Sequence, residues 1–151
     1  MLKFSHPRTL LLFLMLLLSG MSMAGPEDTI FGEVKVTVNG KTLALEYANT
    51  YELRAQGLMF RESLCTDCGM LFSYNQSRVA SMWMRNTLIP LDVAFIRKDG
   101  VITDIKAMQA HDETSITSSQ EVSHAWEMNK GWFKRNDIKV GDIVTITERH
   151  F

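Results

Sequence analysis

Residues 82–95 read MWMRNTLIPLDVAF, and this stretch decides which fold the sequence predicts. An apolar run at 79–84 stops at the polar residues 85–87, and a second apolar run begins at 91–96, after Pro90. A run of bulky residues stops where the backbone turns, and proline cannot donate a hydrogen bond into a central β-ladder. The pattern therefore predicts two buried strands joined by a short connection, called the polar corner (residues 85–87).

The first 24 residues have the composition of a secretory signal peptide. Lys3 and Arg8 form a basic start, an apolar core of nine residues begins at Leu10, and Ser22-Met23-Ala24 offers a small-x-small cleavage site. This core is shorter than the roughly 20 residues that a transmembrane helix needs. We expect a signal peptide at 1–24, a flexible lead-in at 25–32 and one domain at 33–151. After cleavage behind Ala24 the protein would be periplasmic or secreted, with no membrane span.

The charge of the chain is small and scattered. There are 16 Lys and Arg and 17 Asp and Glu, and loss of the signal peptide would bring the net charge to about −3. No basic stripe is present, so neither nucleic acid nor a membrane surface is indicated as a partner.

The domain is predicted to begin with a β-hairpin. Apolar and polar residues alternate on both sides of Asn39 and Gly40, a pair that suits the positive φ values of a type I′ turn. A short helix at 51–56 should follow, with Asn49 as its N-cap, Glu52 three residues later and Gly57 at its end.

The rest of the chain reads as short strands with few helical residues. Strands are predicted at 70–74, 79–84, 91–96, 101–107, 122–128 and 143–148, a turn at 75–78, a surface loop at 109–120 and a helical turn at 131–136. This pattern indicates a mainly β, single-domain β-sandwich or partly open barrel, jelly-roll-like, with one or two short helices.

Four blocks of sequence carry a resemblance to a known family. They are Gly57-Leu58-Met59-Phe60-Arg61, Gly69-Met70-Leu71-Phe72, Trp83-Met84-Arg85-Asn86-Thr87 with Ile89-Pro90-Leu91-Asp92, and Ile138-Lys139-Val140-Gly141-Asp142. In their order they resemble the motifs of the domain-of-unknown-function family 192. The resemblance implies a compact, mainly β domain that in bacteria is often exported, and it implies no established activity. Glu127 and Gly131 match the family pattern, whereas their neighbours depart from it, and Cys65 and Cys68 lie in an insert that is not a general family feature.

Cys65 and Cys68 allow three interpretations: a redox couple, half of a metal site, or a structural disulfide. A thioredoxin-type couple needs its first cysteine at a helix N-terminus, but this pair leads into a predicted strand. A closed zinc site needs four ligands, and His111, His124 and His150 are not at a recognisable spacing. A disulfide is favoured in an oxidising compartment, and its small loop predicts modest stabilisation.

The polar corner is the candidate functional site. Its cation, amide and hydroxyl, beside an aromatic wall, suit a carboxylate, a sugar or a peptide backbone. The predicted ligand-binding residues are Arg61, Trp83, Arg85, Asn86, Thr87, Asp92 and Glu127. A structural alternative is that Asn86 and Thr87 bond to their own turn while Asp92 pairs with Arg85 or Arg61.

Other functions remain open. Asp92 and Glu127 could serve as acid and base of a hydrolase. Met82 and Met84 could bind Cu(I) through their thioethers, although methionine more often fills gaps in a core. The domain could also be a structural accessory module of an envelope assembly. We expect no cofactor, and a small polar ligand or an envelope protein as partner.

Overall fold

The computed structural model describes residues 30–148. The predicted signal peptide, most of the lead-in and His150 therefore lie outside the described residues. The elements in chain order are β1 (Gly32–Val38), β2 (Lys41–Ala48), α1 (Tyr51–Gln56), β3 (Gly69–Met82), β4 (Leu91–Ile96), β5 (Ile102–Met108), β6 (Ile116–Asn129), α2 (Trp132–Arg135) and β7 (Val144–Glu148).

All strands belong to one seven-stranded sheet with the order β5-β4-β6-β3-β2-β1-β7. The pair β2–β3 is parallel, and the other neighbouring strands are antiparallel. The sheet curls into a half-barrel. Its two edges meet at one end, where Val101 and Ile143 form a bridge and the amide of Ile102 donates to the carbonyl oxygen of Asp142 at 3.0 Å. The predicted mainly β fold with two short helices is confirmed, in the form of a partly open barrel.

The hairpin predicted at the start of the domain is present. Asn39 and Gly40 have φ values of 48° and 79° between β1 and β2, as a type I′ turn requires. β4 and β5 also pair as neighbours along the chain. These elements form where the sequence itself contains both the alternation and the turn residues.

Residues 75–78 do not form the predicted turn. They lie within the single strand β3, whose register against β6 jumps from Ser73↔His124 to Arg78↔Val122. Four residues of β3 thus oppose one residue of β6, which is a wide irregularity of the β-bulge kind. The polarity that indicated a turn belongs to residues that are exposed at this bulge.

The predicted surface loop at 109–120 is too long, because β6 already begins at Ile116. Its polar residues bond across to β3: the hydroxyls of Ser81 and Thr117 are 3.0 Å apart, and the amide of Ala80 donates to Ser118 Oγ at 2.9 Å. Side-chain hydrogen bonds thus accompany this part of the strand, where the sequence shows no hydrophobic period.

Two apolar clusters lie on opposite faces of the sheet. The first includes Val36, Leu45, Ile102 and Val144, together with Trp126, which packs against α2 with 5.4 Å between the ring centroids of Trp126 and Trp132. The second covers the other face of the central strands and contains Ala48, Leu58, Met70, Phe72, Ala80, Met82, Met84, Leu91, Val93, Phe95, Met108, Val122 and Ala125. The polar corner lies above this second cluster.

Candidate functional site

The polar corner belongs to a crossover segment (residues 83–90), because the two strands that it joins are not neighbours. β3 and β4 lie on either side of β6, and both run antiparallel to it. The segment must therefore cross one face of β6. Its backbone is fixed at each end: the amide of Met84 donates to the carbonyl of Asp112 at 2.8 Å, and the amide of Lys130 donates to the carbonyl of Pro90 at 3.2 Å.

At the top of the crossover the backbone adopts a sparsely populated conformation. Asn86 has a φ of 53°, and its carbonyl accepts a hydrogen bond at 2.8 Å from the amide of Phe60, whose φ is 63°. Asparagine tolerates this left-handed region better than most residues. The Asn86 carbonyl thus joins the sequence block at 57–61 to the block at 83–87. The hydroxyl of Thr87 lies 3.3 Å from the carbonyl of Arg85, within the same turn.

Beneath the crossover lies a cavity of about 310 Å³ between α1 and the second half of β3. Its volume is at the lower end of the range of ligand pockets. Three of the predicted site residues line it: Trp83, which is 47% exposed, and the buried residues Thr87 and Glu127. The other lining residues are Tyr51, Arg54, Ala55, Gln56, Gly57, Leu58, Met59, Phe72, Tyr74, Arg78, Ser81 and Met82.

Glu127 is the unusual member of this lining. It lies on β6 between Met70 and Val93, within the second apolar cluster, and it is 4% exposed. Its carboxyl has no hydrogen-bond partner among the residues that the structure describes. Burial raises the pKa of Glu127 to about 8. The group is therefore mostly protonated at neutral pH, and it can donate as well as accept a hydrogen bond.

One part of the lining combines a phenol with two guanidinium groups. Arg54 and Arg78 each lie 5.9 Å from the ring centroid of Tyr74. Arg54 is held further by hydrogen bonds of 2.9 Å to the carbonyls of Asn49 and Ser73. Burial raises the pKa of Tyr74 to about 12, so its hydroxyl stays protonated. The cavity thus has two cations at its wall and a neutral acid at its base.

Four predicted site residues lie away from the cavity. Arg61 pairs with Glu46 at 2.7 Å, Arg85 stacks on Trp83 with 5.5 Å to the ring centroid, and Asn86 is exposed. Asp92 accepts a hydrogen bond of 2.7 Å from the amide of Gly131 and thereby fastens β4 to the start of α2. The structure therefore does not bring all seven side chains to one cavity, and Asp92 contacts a backbone amide and not an arginine.

Asp92 and Glu127 do not face each other. In the β4–β6 ladder, Asp92 is opposite Met128 and Val93 is opposite Glu127. Since neighbouring side chains of a strand point to opposite faces, the two carboxyls lie on different sides of the sheet. This geometry removes the hydrolase alternative that uses the two acids together.

The two methionines of the copper alternative share a cluster but have different surroundings. Met82 and Met84 are both buried in the second apolar cluster. Tyr74 Oη donates to Met82 Sδ at 3.4 Å, and among the described residues Met82 lines the cavity whereas Met84 does not. The described residues also contain no group of three His, Cys, Asp or Glu side chains that could hold a metal ion.

The sequence interpretation missed the wall formed by Arg54, Tyr74 and Arg78. The sequence did contain a signal for Arg54, because this residue lies in the predicted helix at 51–56. Tyr74 precedes the stretch 75–78 that was interpreted as a turn, and Arg78 is the last residue of that stretch. In the structure both side chains line the cavity together with α1.

Comparison with known proteins agrees with this architecture. The profile of domain-of-unknown-function family 192, described as "Uncharacterized ACR", matches residues 34–146. The chain therefore belongs to this family, which confirms the resemblance seen in its motifs. No curated protein matches the chain.

Two crystal structures are similar to this chain. One is a protein from Sinorhizobium meliloti 1021, described as a proposed transcription regulator: it is 35% identical, the match covers 78% of this chain and 96% of that chain, and the TM-score is 0.74. The other is a protein of unknown function from Novosphingobium aromaticivorans DSM 12444: it is 36% identical, with coverage of 76% and 84% and a TM-score of 0.69.

Within residues 30–148, neither helix has the length and apolar character needed to cross a bilayer.

Proposed function

We propose that this protein is an exported binding domain that takes a small polar ligand, a sugar or a peptide in the cavity beneath the crossover. The observation that carries the proposal is the carboxyl of Glu127, which is buried at the cavity without a hydrogen-bond partner in the described chain. A ligand in the cavity can give this carboxyl the hydrogen bond that no described residue supplies.

The lining suggests how such a ligand would be held. The protonated carboxyl of Glu127 can donate to a carbonyl or carboxylate oxygen. The exposed guanidinium of Arg78 can balance a negative charge, and Trp83 offers an aromatic wall. Arg85, stacked on Trp83, supports that wall from outside.

Export rests on the sequence of the first 24 residues and on the two cysteines. In the structure Cys65 and Cys68 have their Cα atoms 5.0 Å apart and their sulfur atoms within bonding distance. A disulfide there suits a periplasmic or secreted protein, because thiols stay reduced in the cytosol.

The binding proposal is tested with a thermal-shift screen of small carboxylates, monosaccharides and capped amino acids. A ligand of the cavity should raise the Tm of the wild type. Trp83→Ala and Glu127→Leu should each weaken its binding roughly tenfold or more. Phe60→Ala is the matched control, since Phe60 is an aromatic residue at the same corner, 67% exposed, that does not line the cavity.

The same screen discriminates between the cavity and the corner surface. Asn86→Ala should leave binding unchanged, because its side chain is exposed above the cavity. If Phe60→Ala and Asn86→Ala lose binding while Trp83→Ala and Glu127→Leu retain it, the site is the outer surface and the cavity proposal is wrong. A screen in which no compound raises the Tm would also contradict it.

A further inference from the structure

One edge of β3 borders the cavity without a strand partner. On one side β3 pairs with β6 through residues 69–73 and 78–82, with irregularities between and within these stretches, and on the other it pairs with β2 through residues 70–72 alone. β2 ends at Ala48, and the chain then leaves the sheet to form α1. Among the described residues, no strand therefore covers the second half of β3 on this side.

The backbone groups on this edge can be assigned. The amide of Ala80 points toward β6, since it donates to Ser118 Oγ. Amides of successive strand residues point to opposite edges, so those of Val79 and Ser81 point away from β6, and of these two residues Ser81 lines the cavity. Buried Ala80 and Met82 alternate with exposed Val79 and Ser81, so β3 itself is extended here. Its register against β6 shifts between Val79 and Ser81, and the extra residues of this irregularity belong to β6.

Ser81 supports this orientation. It lines the cavity, yet its hydroxyl is hydrogen-bonded to Thr117 of β6. With its hydroxyl bonded to β6, Ser81 can offer the cavity its main-chain groups. The main-chain groups of Ser81 on this edge thus have no strand partner among the described residues, and Ser81 and Glu127 line the same cavity.

We infer that the partner is an extended peptide segment that adds as a strand to the Val79–Ser81 edge of β3 and places an acidic side chain in the cavity. This inference rests on the proposed function and names the class of its ligand. Strand addition satisfies main-chain groups, while the pocket selects one side chain of the peptide. A sugar or a free acid would occupy the cavity but leave the edge unpaired.

The charge of the lining selects an acidic side chain. Arg54 and Arg78 flank the cavity, and Glu127, protonated by its burial, presents a donor and not a negative charge. A carboxylate can accept hydrogen bonds from both kinds of group. Residues 78–82 form a stretch of roughly 17 Å at about 3.3 Å per residue, which matches a segment of about five residues.

Calorimetric titration of the full domain tests the inference with two ligands that carry the same glutamate side chain. The first is the peptide acetyl-Thr-Val-Glu-Val-Thr-amide, and the second is N-acetylglutamate N-methylamide, which offers the acid without the strand. We expect the peptide to bind at least tenfold more tightly. Methylation of the peptide amides that face β3 should abolish this difference, a result that does not depend on any change in the protein.

The protein side of the contact is tested with Val79→Pro, compared with Val79→Ala. Both remove the exposed side chain, but only proline removes the N–H from the free edge. Val79→Pro should bind the peptide at least tenfold more weakly than Val79→Ala does, with equal affinities for the single capped residue. Equal peptide affinities of the two folded variants would overturn the inference.

The outcomes separate this inference from the proposed function. If the single capped residue binds and the peptide binds no more tightly, strand addition is wrong and the cavity proposal stands. If the peptide binds with equal affinity to wild type and Glu127→Leu, the acidic side chain does not enter the cavity, and the inference is overturned.

Discussion

At the scale of single residues, Glu127 is held in surroundings that favour its neutral form. Its neighbours across the ladders are Met70 and Val93, and no cation pairs with it among the described residues. Desolvation is the physical cause of its raised pKa. The domain thus keeps a carboxylic acid buried where an apolar residue would pack without this cost, which is typical of functional positions.

We predict that Glu127 makes the stability of the domain depend on pH. An acid whose pKa is higher in the folded chain binds its proton more tightly there, so the free energy of unfolding falls as the pH rises from 4.5 to about 8. The slope is at most about 1.4 kcal/mol per pH unit, and it vanishes outside this window. Glu127→Gln cannot ionise, so its stability relative to wild type should increase steadily across this range in urea unfolding.

The exposed Glu62 supplies the control for this measurement. Glu62→Gln should follow the wild-type profile. If the difference between Glu127→Gln and wild type stays constant from about pH 5 to about pH 8, Glu127 does not titrate as the structure requires.

The sequence predicts the residue types of the site better than their contacts. Three of the predicted site residues, Trp83, Thr87 and Glu127, line the cavity, since all belong to central strands or the segment that joins them. Arg61 and Asp92 do not, because each finds a nearer partner, Glu46 and the amide of Gly131. Such competition between partners is decided by tertiary distances, which a single sequence does not contain.

At the scale of secondary-structure elements, α1 forms one wall of the cavity and depends on its two ends. Thr50, not the predicted Asn49, is its N-cap: Thr50 Oγ1 accepts a hydrogen bond of 3.2 Å from the amide of Leu53. Gly57 ends the helix with a φ of 50°, and a Cβ there would lie 3.2 Å from Phe72 Cζ. Either residue at 49 or 50 satisfies the cap preference, so the sequence alone places the helix start within one residue.

Thr50→Ala is predicted to lower the free energy of unfolding by about 1 kcal/mol, because it removes the cap. Asn49→Ala is the neighbouring control, since Asn49 contributes its carbonyl to Arg54 and its side chain is exposed. Urea unfolding of both variants checks the assignment. A larger loss for Asn49→Ala than for Thr50→Ala would return the cap to Asn49.

Local sequence features decide which strands could be predicted. β1, β2 and β4 alternate or run continuously apolar, and local turn residues fix their hairpins. β3 and β6 are long strands that contain polar stretches where their mutual register is irregular. The hydrophobic periodicity of the sequence therefore identifies only part of each strand. Their pairing is determined by each other and not by local sequence.

At the scale of the whole molecule, the loop at Cys65–Cys68 connects distant parts of the chain. Its Asp67 accepts hydrogen bonds from the indole of Trp132 at 2.9 Å and from Lys41 at 3.0 Å. These two contacts, above all the one with Trp132, lower the pKa of Asp67. The start of β2, the loop and α2 are therefore joined at one carboxylate, and the two cysteines lie on either side of it.

We predict that Cys65 and Cys68 form a disulfide whose role is to hold Asp67 in this position. The purified oxidised protein should be lighter than its reduced form by two hydrogen atoms, as measured by intact mass spectrometry. Closing so short a loop contributes about 2 kcal/mol in chain-entropy terms, so reduction should lower the Tm by several degrees. Asp67→Asn should lower the Tm of the oxidised protein more than that of the Cys65→Ser/Cys68→Ser variant, because the open loop no longer fixes the carboxylate against Trp132. Equal effects of Asp67→Asn in the two backgrounds would show that the loop holds its shape without the bond, and the cysteines would then need another explanation.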